Sequence, residues 1–100
     1  MVVPFPAGGG VDSAGRILAT KLSESFGKSF VIENRSGANG NIGTAAVARS
    51  EPDGYTWLVT GPAALVNPTL YKDAGWDAMK DLKCVGLAIW NQSVGVVNPA

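Results

Sequence analysis

Three glycine-bearing stretches carry whatever chemistry this chain can do. In the first, Pro6-Ala7-Gly8-Gly9-Gly10-Val11-Asp12, three consecutive glycines lie between a proline and an acid. The second, residues 34–43, reads NRSGANGNIG, with glycines at 37, 40 and 43; the third is Thr60-Gly61-Pro62-Ala63. Glycine loses more conformational freedom on ordering than any other residue, so a run of three marks a backbone that turns sharply or approaches something closely. Glycine loops that open into helices can line a concavity with consecutive main-chain N–H groups, and the helix start adds partial positive charge. Such a surface can hold a carboxylate without lysine or arginine, and therefore without strong retention. Asp12 at this mouth suits a helix cap, and its carboxylate could also orient a water or a ligand amino group.

Other chemistries find little support. The chain has no histidine, so the usual general base and the commonest zinc ligand are missing. Cys84 is the single cysteine, which excludes an intramolecular disulfide; its apolar setting, CVGLAIW, predicts a buried, inert thiol. Eight basic and eight acidic residues cancel, and no basic stripe interleaved with aromatics exists, so no nucleic-acid partner is expected. An apolar content of 46% with three tryptophans argues for a folded chain. The apolar runs fall short of a membrane span, and Met1 leads straight into Val2-Val3-Pro4-Phe5 with no visible signal peptide.

The elements that must position these loops follow from periodicity. Residues 2–5 read as a short strand, and Ala14, Ile17, Leu18, Leu22 and Phe26 recur at helical spacing over residues 13–26, capped by Asp12 or Ser13 and stopped by Gly27. Residues 30–33 predict a second strand. A small-residue helix over 42–49 follows, with Asn41 as its cap, and residues 55–60 predict a third strand. Pro62 suits the first turn of a short helix over 63–66; residues 67–83 look irregular or briefly helical, with Tyr71 and Trp76 as packing residues. Residues 84–90 and 93–97 predict two further strands, and Trp57 and Trp90 are expected in the core. Strand, helix, strand, helix, strand implies a parallel sheet with right-handed crossovers, whose ligands sit beyond the carboxyl ends of the strands. The three glycine loops share that edge. For one such loop, plain tight turns would be the better reading; two at one edge favour binding.

Nucleotide motifs nearly match and fail. Gly27-Lys28-Ser29 resembles the end of a P-loop, but Leu22 stands where its first glycine belongs. Glu33 ends the second strand where a dinucleotide site would want an acid, yet Ser13 occupies the last glycine of GxGxxG. Two matches to the glycosylation pattern, Asn34-Arg35-Ser36 and Asn91-Gln92-Ser93, are too short to carry weight. Among charged residues, Arg16 reads as a solvated or capping side chain. Arg35 is the better clamp candidate, with a surface ion pair as its default role, and Lys80, Asp81 and Lys83 form a solvated face.

The stretches PFPAGGGVDSAGRILATKL, VIENRSGANGNIGTAAVARSEPDGYTWLV, PAALVNPTLY and WDAMKDL occur in order and together resemble the tripartite tricarboxylate transporter receptors, the TctC or Bug family of extracytoplasmic solute-binding proteins. The resemblance spans essentially the whole chain. It implies an α/β, type II periplasmic-binding-protein fold, with a mainly parallel sheet and flanking helices, in which two domains close on a small carboxylate-bearing ligand. Residues 1–100 would be the N-terminal segment of domain one, with the second domain and a later pinching loop absent. By the same resemblance Pro6, Ala7, Gly8, Gly9 and Asp12 form one arm of the site. Asn39, Gly40 and Asn41 line the neighbouring loop, and Thr60, Gly61 and Ala63 complete the edge.

The implied ligands are dicarboxylates, tricarboxylates, acidic amino acids and aromatic acids, with no cofactor and no enzymatic step. The implied partner is a two-component membrane permease, and the implied location is the periplasm. Ser36 stands where proline is common in the family, and Cys84 is unusual for it. A sheet lacking further strands would leave an unpaired edge and an apolar face, so self-association of the chain is expected. Two other function classes remain open at this point: an enzyme domain that uses the glycine loops for a phosphate or nucleotide, and an assembly module in which the loops merely pack.

Overall fold

A computed structural model describes residues 1–99. Strand β1 (Val2–Val3) lies at the centre of a small parallel sheet, followed by helix α1 (Gly10–Phe26) and strand β2 (Glu33–Asn34). A single 3₁₀ turn (Ala38–Gly40) then leads into helix α2 (Asn41–Ala48), and α3 (Ala63–Leu70) is the last regular element among the described residues. β1 pairs with β2 in parallel, Val2 opposite Glu33 and Val3 opposite Asn34. On its other side Val2 forms a parallel bridge to Leu58, its N–H donating to the Trp57 carbonyl at 2.7 Å and its carbonyl accepting from Val59 N–H at 2.9 Å. The α/β class and the parallel sheet thus match the reading of the sequence.

Val2 and Val3 form the strand because both faces and both edges are occupied. They are 5% and 0% exposed, and full burial of one such side chain contributes about 1.5–3 kcal/mol. The helices reach the strand through small residues. A Cβ on Gly15 would lie 3.0 Å from Val3 Cγ2, and one on Gly43 would lie 2.6 Å from the Arg35 carbonyl oxygen and 2.7 Å from Pro4 Cβ. Only a residue without a side chain lets α2 approach that closely.

The buried face of α1 is Asp12, Gly15 and Ala19, whereas Ile17 and Phe26 of the expected apolar stripe are 68% and 62% exposed. Gly27 closes the helix as foreseen, left-handed at φ 64°, with its N–H on the Ser23 carbonyl. A second core gathers Ala45, Ala64, Ala74 and Trp76, with Ala48, Ala78 and Leu82 packed against it.

Several expectations need correction. The first helix begins at Gly10 with Gly9 as its N-cap, and no side chain caps it; Asp12 lies inside the first turn. α2 is preceded by Gly40 as N-cap, so Asn41 is its first residue rather than its cap. The second strand is shifted to Glu33–Asn34, and the third shrinks to one bridge at Leu58, leaving Trp57 half-buried. The helix expected to stop at Val66 continues to Leu70 through Pro68. Residues 84–90 and 93–97 form no strand; Cys84 is exposed and Trp90 is 80% exposed. A strand needs a neighbour to receive its N–H and C=O groups, and no paired segment lies beside these residues. The extended stretch draws the molecule out to 55 × 29 × 21 Å.

Candidate functional site

Parallel pairing decides where the loops go. β1, β2 and the Leu58 stretch all point the same way, so the segments that follow them, residues 4–9, 35–40 and 60–62, leave from one edge. The first loop is held by a buried carboxylate. Asp12 is 2% exposed, and its Oδ2 accepts from the Gly8 N–H and from Arg16 Nε, both at 2.9 Å. Its Oδ1 accepts from Asn34 Nδ2 at 2.8 Å, and that same amide reaches the Phe5 carbonyl at 3.1 Å. Arg16 Nη2 in turn donates to Asn34 Oδ1 at 3.3 Å. Asp12, Arg16 and Asn34 therefore tie the glycine turn, α1 and the end of β2 into one unit.

The donated bond from Arg16 is the largest influence on Asp12. With the Gly8 and Asn34 donors it lowers the pKa from 3.8 to about 2, against burial, which pushes the other way. Both carboxylate oxygens of Asp12 are thus committed to this clamp. Arg16 is half-exposed and serves that pairing. Arg35, the clamp candidate, makes an ion pair with Glu33 at 2.6 Å, its default role.

The second loop is a left-handed turn. Gly37, Ala38, Asn39 and Gly40 have φ of 132°, 47°, 52° and 86°. Gly40 lies against Phe5, whose Cζ would be 3.1 Å from an added Cβ, so the first and second loops abut. The Asn39 side chain faces α3, donating to Asn67 Oδ1 at 3.3 Å. The Asn41 side chain faces the second core, accepting from Trp76 Nε1 at 2.6 Å and donating to the Ala74 carbonyl. The Asn41 amide is thus engaged at both ends, whereas the exposed Asn39 commits only its Nδ2 among the described residues, and the loop's remaining offering is backbone.

The amides at the rim divide into two sets. Gly8 donates to Asp12, Gly9 weakly to the Pro6 carbonyl at 3.5 Å, and Gly40, Asn41 and Ile42 donate within their own turn. The N–H groups of Gly10, Val11, Ala38, Asn39, Gly61 and Ala63 meet no acceptor among the described residues. Pro6 and Ala7 are exposed at the tip of the first loop. Thr60 Oγ1, at the start of the third loop, is buried without a hydrogen-bond partner, a costly state for a hydroxyl.

Two hollows lie away from this edge. One of about 550 Å³ is lined by Arg16, Ala19, Thr20, Ser23, Glu24, Phe30 and Ile32; the other, about 330 Å³, lies between α1 and Ala88-Ile89. No group of three His, Cys, Asp or Glu suited to a metal occurs among the described residues.

Asn34 and Asn67 were missed by sequence reasoning. Asn34 opens a stretch whose pattern reads as a loop, although an asparagine ending a strand beside an acid-bearing helix is placed to bridge the two. Asn67 falls in a stretch whose pattern looks irregular or briefly helical. Its signal was a lone amide three residues after Ala64, on the face that the continued helix buries.

Comparison with known proteins settles the lineage. The sequence model described as the tripartite tricarboxylate transporter family receptor matches residues 14–100. The chain belongs to that family. A UPF0065 protein of Bordetella bronchiseptica is 43% identical over 91 residues, which cover 90% of this chain and 27% of the relative. The solved periplasmic binding protein BugD superimposes with a TM-score of 0.78 at 43% identity, over 81% of this chain and 27% of BugD. The solved structure of R. palustris Rpa4515 with adipate has a TM-score of 0.62 at 49% identity over 63% of this chain and 21% of its own. The chain thus spans under a third of the length of each of these family members. Among the described residues no helix of this receptor-family chain is long and apolar enough to cross a membrane.

Proposed function

We propose that this chain supplies the carboxylate-binding rim of an extracytoplasmic solute receptor that delivers a small organic acid to a membrane permease. Residues 1–100 form the N-terminal segment of the first α/β domain of such a receptor, and the remainder of the cleft comes from a second domain. The observation that carries the reading is the convergence of three loops at one sheet edge with N–H groups of Gly10, Val11, Ala38, Asn39, Gly61 and Ala63 unused. Main-chain donors at a helix start hold an anion without a permanent cation beside it, which suits capture and release. The adipate named with the R. palustris neighbour supports a dicarboxylate. Asp12 contributes by holding the Gly8 turn, and Thr60 Oγ1 is a waiting donor or acceptor at the third loop. The site binds and releases its ligand unchanged, in the periplasm.

Titration of the ¹⁵N-labelled chain with adipate, with its uncharged diamide and with ATP tests this reading. Saturable shifts at residues 8–12 and 37–40 with adipate alone are expected. Shifts confined to the α1 hollows, or an equal response to the diamide, sink the proposal; a response to ATP alone favours a nucleotide-using domain. Exposed Leu87, Ile89, Trp90 and Val94 support self-association of the chain. Sedimentation velocity checks this, and a monomer unchanged over a wide concentration range overturns it.

A further inference from the structure

Helix α3 lies behind the second loop, and its buried polar side chain reaches back into it. Asn67 is 1% exposed. Its Nδ2 donates to the Asn39 carbonyl at 2.9 Å, while its Oδ1 accepts from Asn39 Nδ2 at 3.3 Å. The pair grips both the main chain and the side chain of one residue across 28 positions of sequence.

That residue sits in a backbone that is costly to hold. Ala38 and Asn39 are consecutive non-glycine residues with φ of 47° and 52°. Asparagine visits the left-handed region with some ease, but alanine does not, and two in succession need outside support. The turn's own bonds hold its flanks: Gly40 and Ile42 N–H donate to the Gly37 carbonyl, Asn41 N–H to the Ala38 carbonyl and Thr44 Oγ1 to the Gly40 carbonyl, and none of them reaches Asn39. Asn67 acts at its middle. The consequence falls on the N–H groups of Ala38 and Asn39, which the left-handed turn keeps away from any internal acceptor.

We propose that Asn67 is a positioning residue for anion binding at the second loop: its double bond to Asn39 fixes the left-handed turn that presents the Ala38 and Asn39 amides to a carboxylate. This rests on the carboxylate reading for its ligand, but not for its conformational part. Without the latch the turn relaxes toward ordinary backbone in a share of molecules, and apparent affinity falls by the competent fraction.

The test pairs a conformational readout with a titration. Positive φ brings a residue's own amide and α protons close, giving a strong intraresidue cross-peak. Asn67→Leu removes both bonds at nearly constant size. It is expected to weaken the cross-peaks of Ala38 and Asn39 and to reduce adipate affinity about five- to tenfold. Adding Asn39→Gly, which adopts left-handed φ freely, restores adipate affinity and the cross-peak at Ala38 in the Asn67→Leu background.

Asn39→Asp keeps a side chain that tolerates left-handed φ but replaces the Nδ2 donor by an oxygen at an exposed position, so it decides the matter if Asn67→Leu fails to fold; a weaker cross-peak at residue 39 is expected. Retention of full-strength cross-peaks in either variant, or failure of Asn39→Gly to rescue, overturns the proposal. Wild-type chain that ignores adipate while the cross-peaks behave as expected overturns the carboxylate reading instead and leaves the latch standing.

Discussion

Val2-Val3 and Val96-Val97 are the same dipeptide in opposite circumstances. The first pair is 5% and 0% exposed, the second 88% and 91%. Around Val2 and Val3 the backbone bonds run both ways, from Arg35 N–H on one side and to the Trp57 carbonyl on the other. Around residues 93–97 no ladder exists. The pair teaches that β propensity measures fit to a pleated, half-buried surface; valine does not create that surface by itself. Stability is accordingly concentrated in the first three quarters of the chain, where helices close on the strand, and residues 83–99 contribute little to it.

The sharpest way to break this contrast uses two tryptophans. Trp76 is 7% exposed with its indole N–H on Asn41 Oδ1, whereas Trp90 is 80% exposed. Trp76→Ala is expected to cost about 4 kcal/mol by urea unfolding, and Trp90→Ala less than about 0.5 kcal/mol. Comparable losses from the two would erase the distinction between the regions.

Two glycines sharpen it at the next level. An alanine at 43 meets Pro4 and the Arg35 carbonyl, while one at 86 meets nothing within 4 Å. Gly43→Ala should destabilise by about 3 kcal/mol and Gly86→Ala by almost nothing, read as denaturation midpoints. An innocuous Gly43→Ala would mean that α2 does not press on Pro4 and Arg35, the residues that follow β1 and β2.

Acid affects the ordered region through Asp12. Its folded pKa of about 2 lies below the ordinary 3.8, so the unfolded chain binds more protons between those values. The stability it contributes is therefore complete above about pH 4 and is lost as pH falls toward about 2. Urea midpoints of wild type should drop more steeply across that window than those of Asp12→Asn; parallel curves would remove the carboxylate clamp from the account.

Cys84 gives the smallest effect on stability. It is exposed in the extended region, so Cys84→Ser should change the midpoint by under about 0.5 kcal/mol. A thiol reagent should modify it as fast in native chain as in urea. Protection in the native chain would show that residues near 84 are covered.

Much of the first region was legible in the sequence because its signals are local. Gly27 stops α1, Pro62 opens α3, and the three glycine loops follow strand-forming residues in the order that a parallel sheet requires. The motif order from Pro4 to Leu82 was enough to identify the family. Illegible were the partners: that Asp12 would spend both oxygens on Gly8, Arg16 and Asn34, and that Asn39 and Asn41 would turn to Asn67 and Trp76. Nothing local distinguishes an asparagine that faces a ligand from one that faces a helix 28 residues away.

By itself the sequence determined where the glycine turns fall, where α1 stops and where α3 opens, since glycine and proline act through the φ values and donors of single residues. Tertiary structure alone decided which valine pair became a strand and which buried amide gripped the second loop. Those outcomes depend on hydrogen-bond partners and apolar surfaces brought together from distant parts of the chain, and a local pattern cannot carry that information.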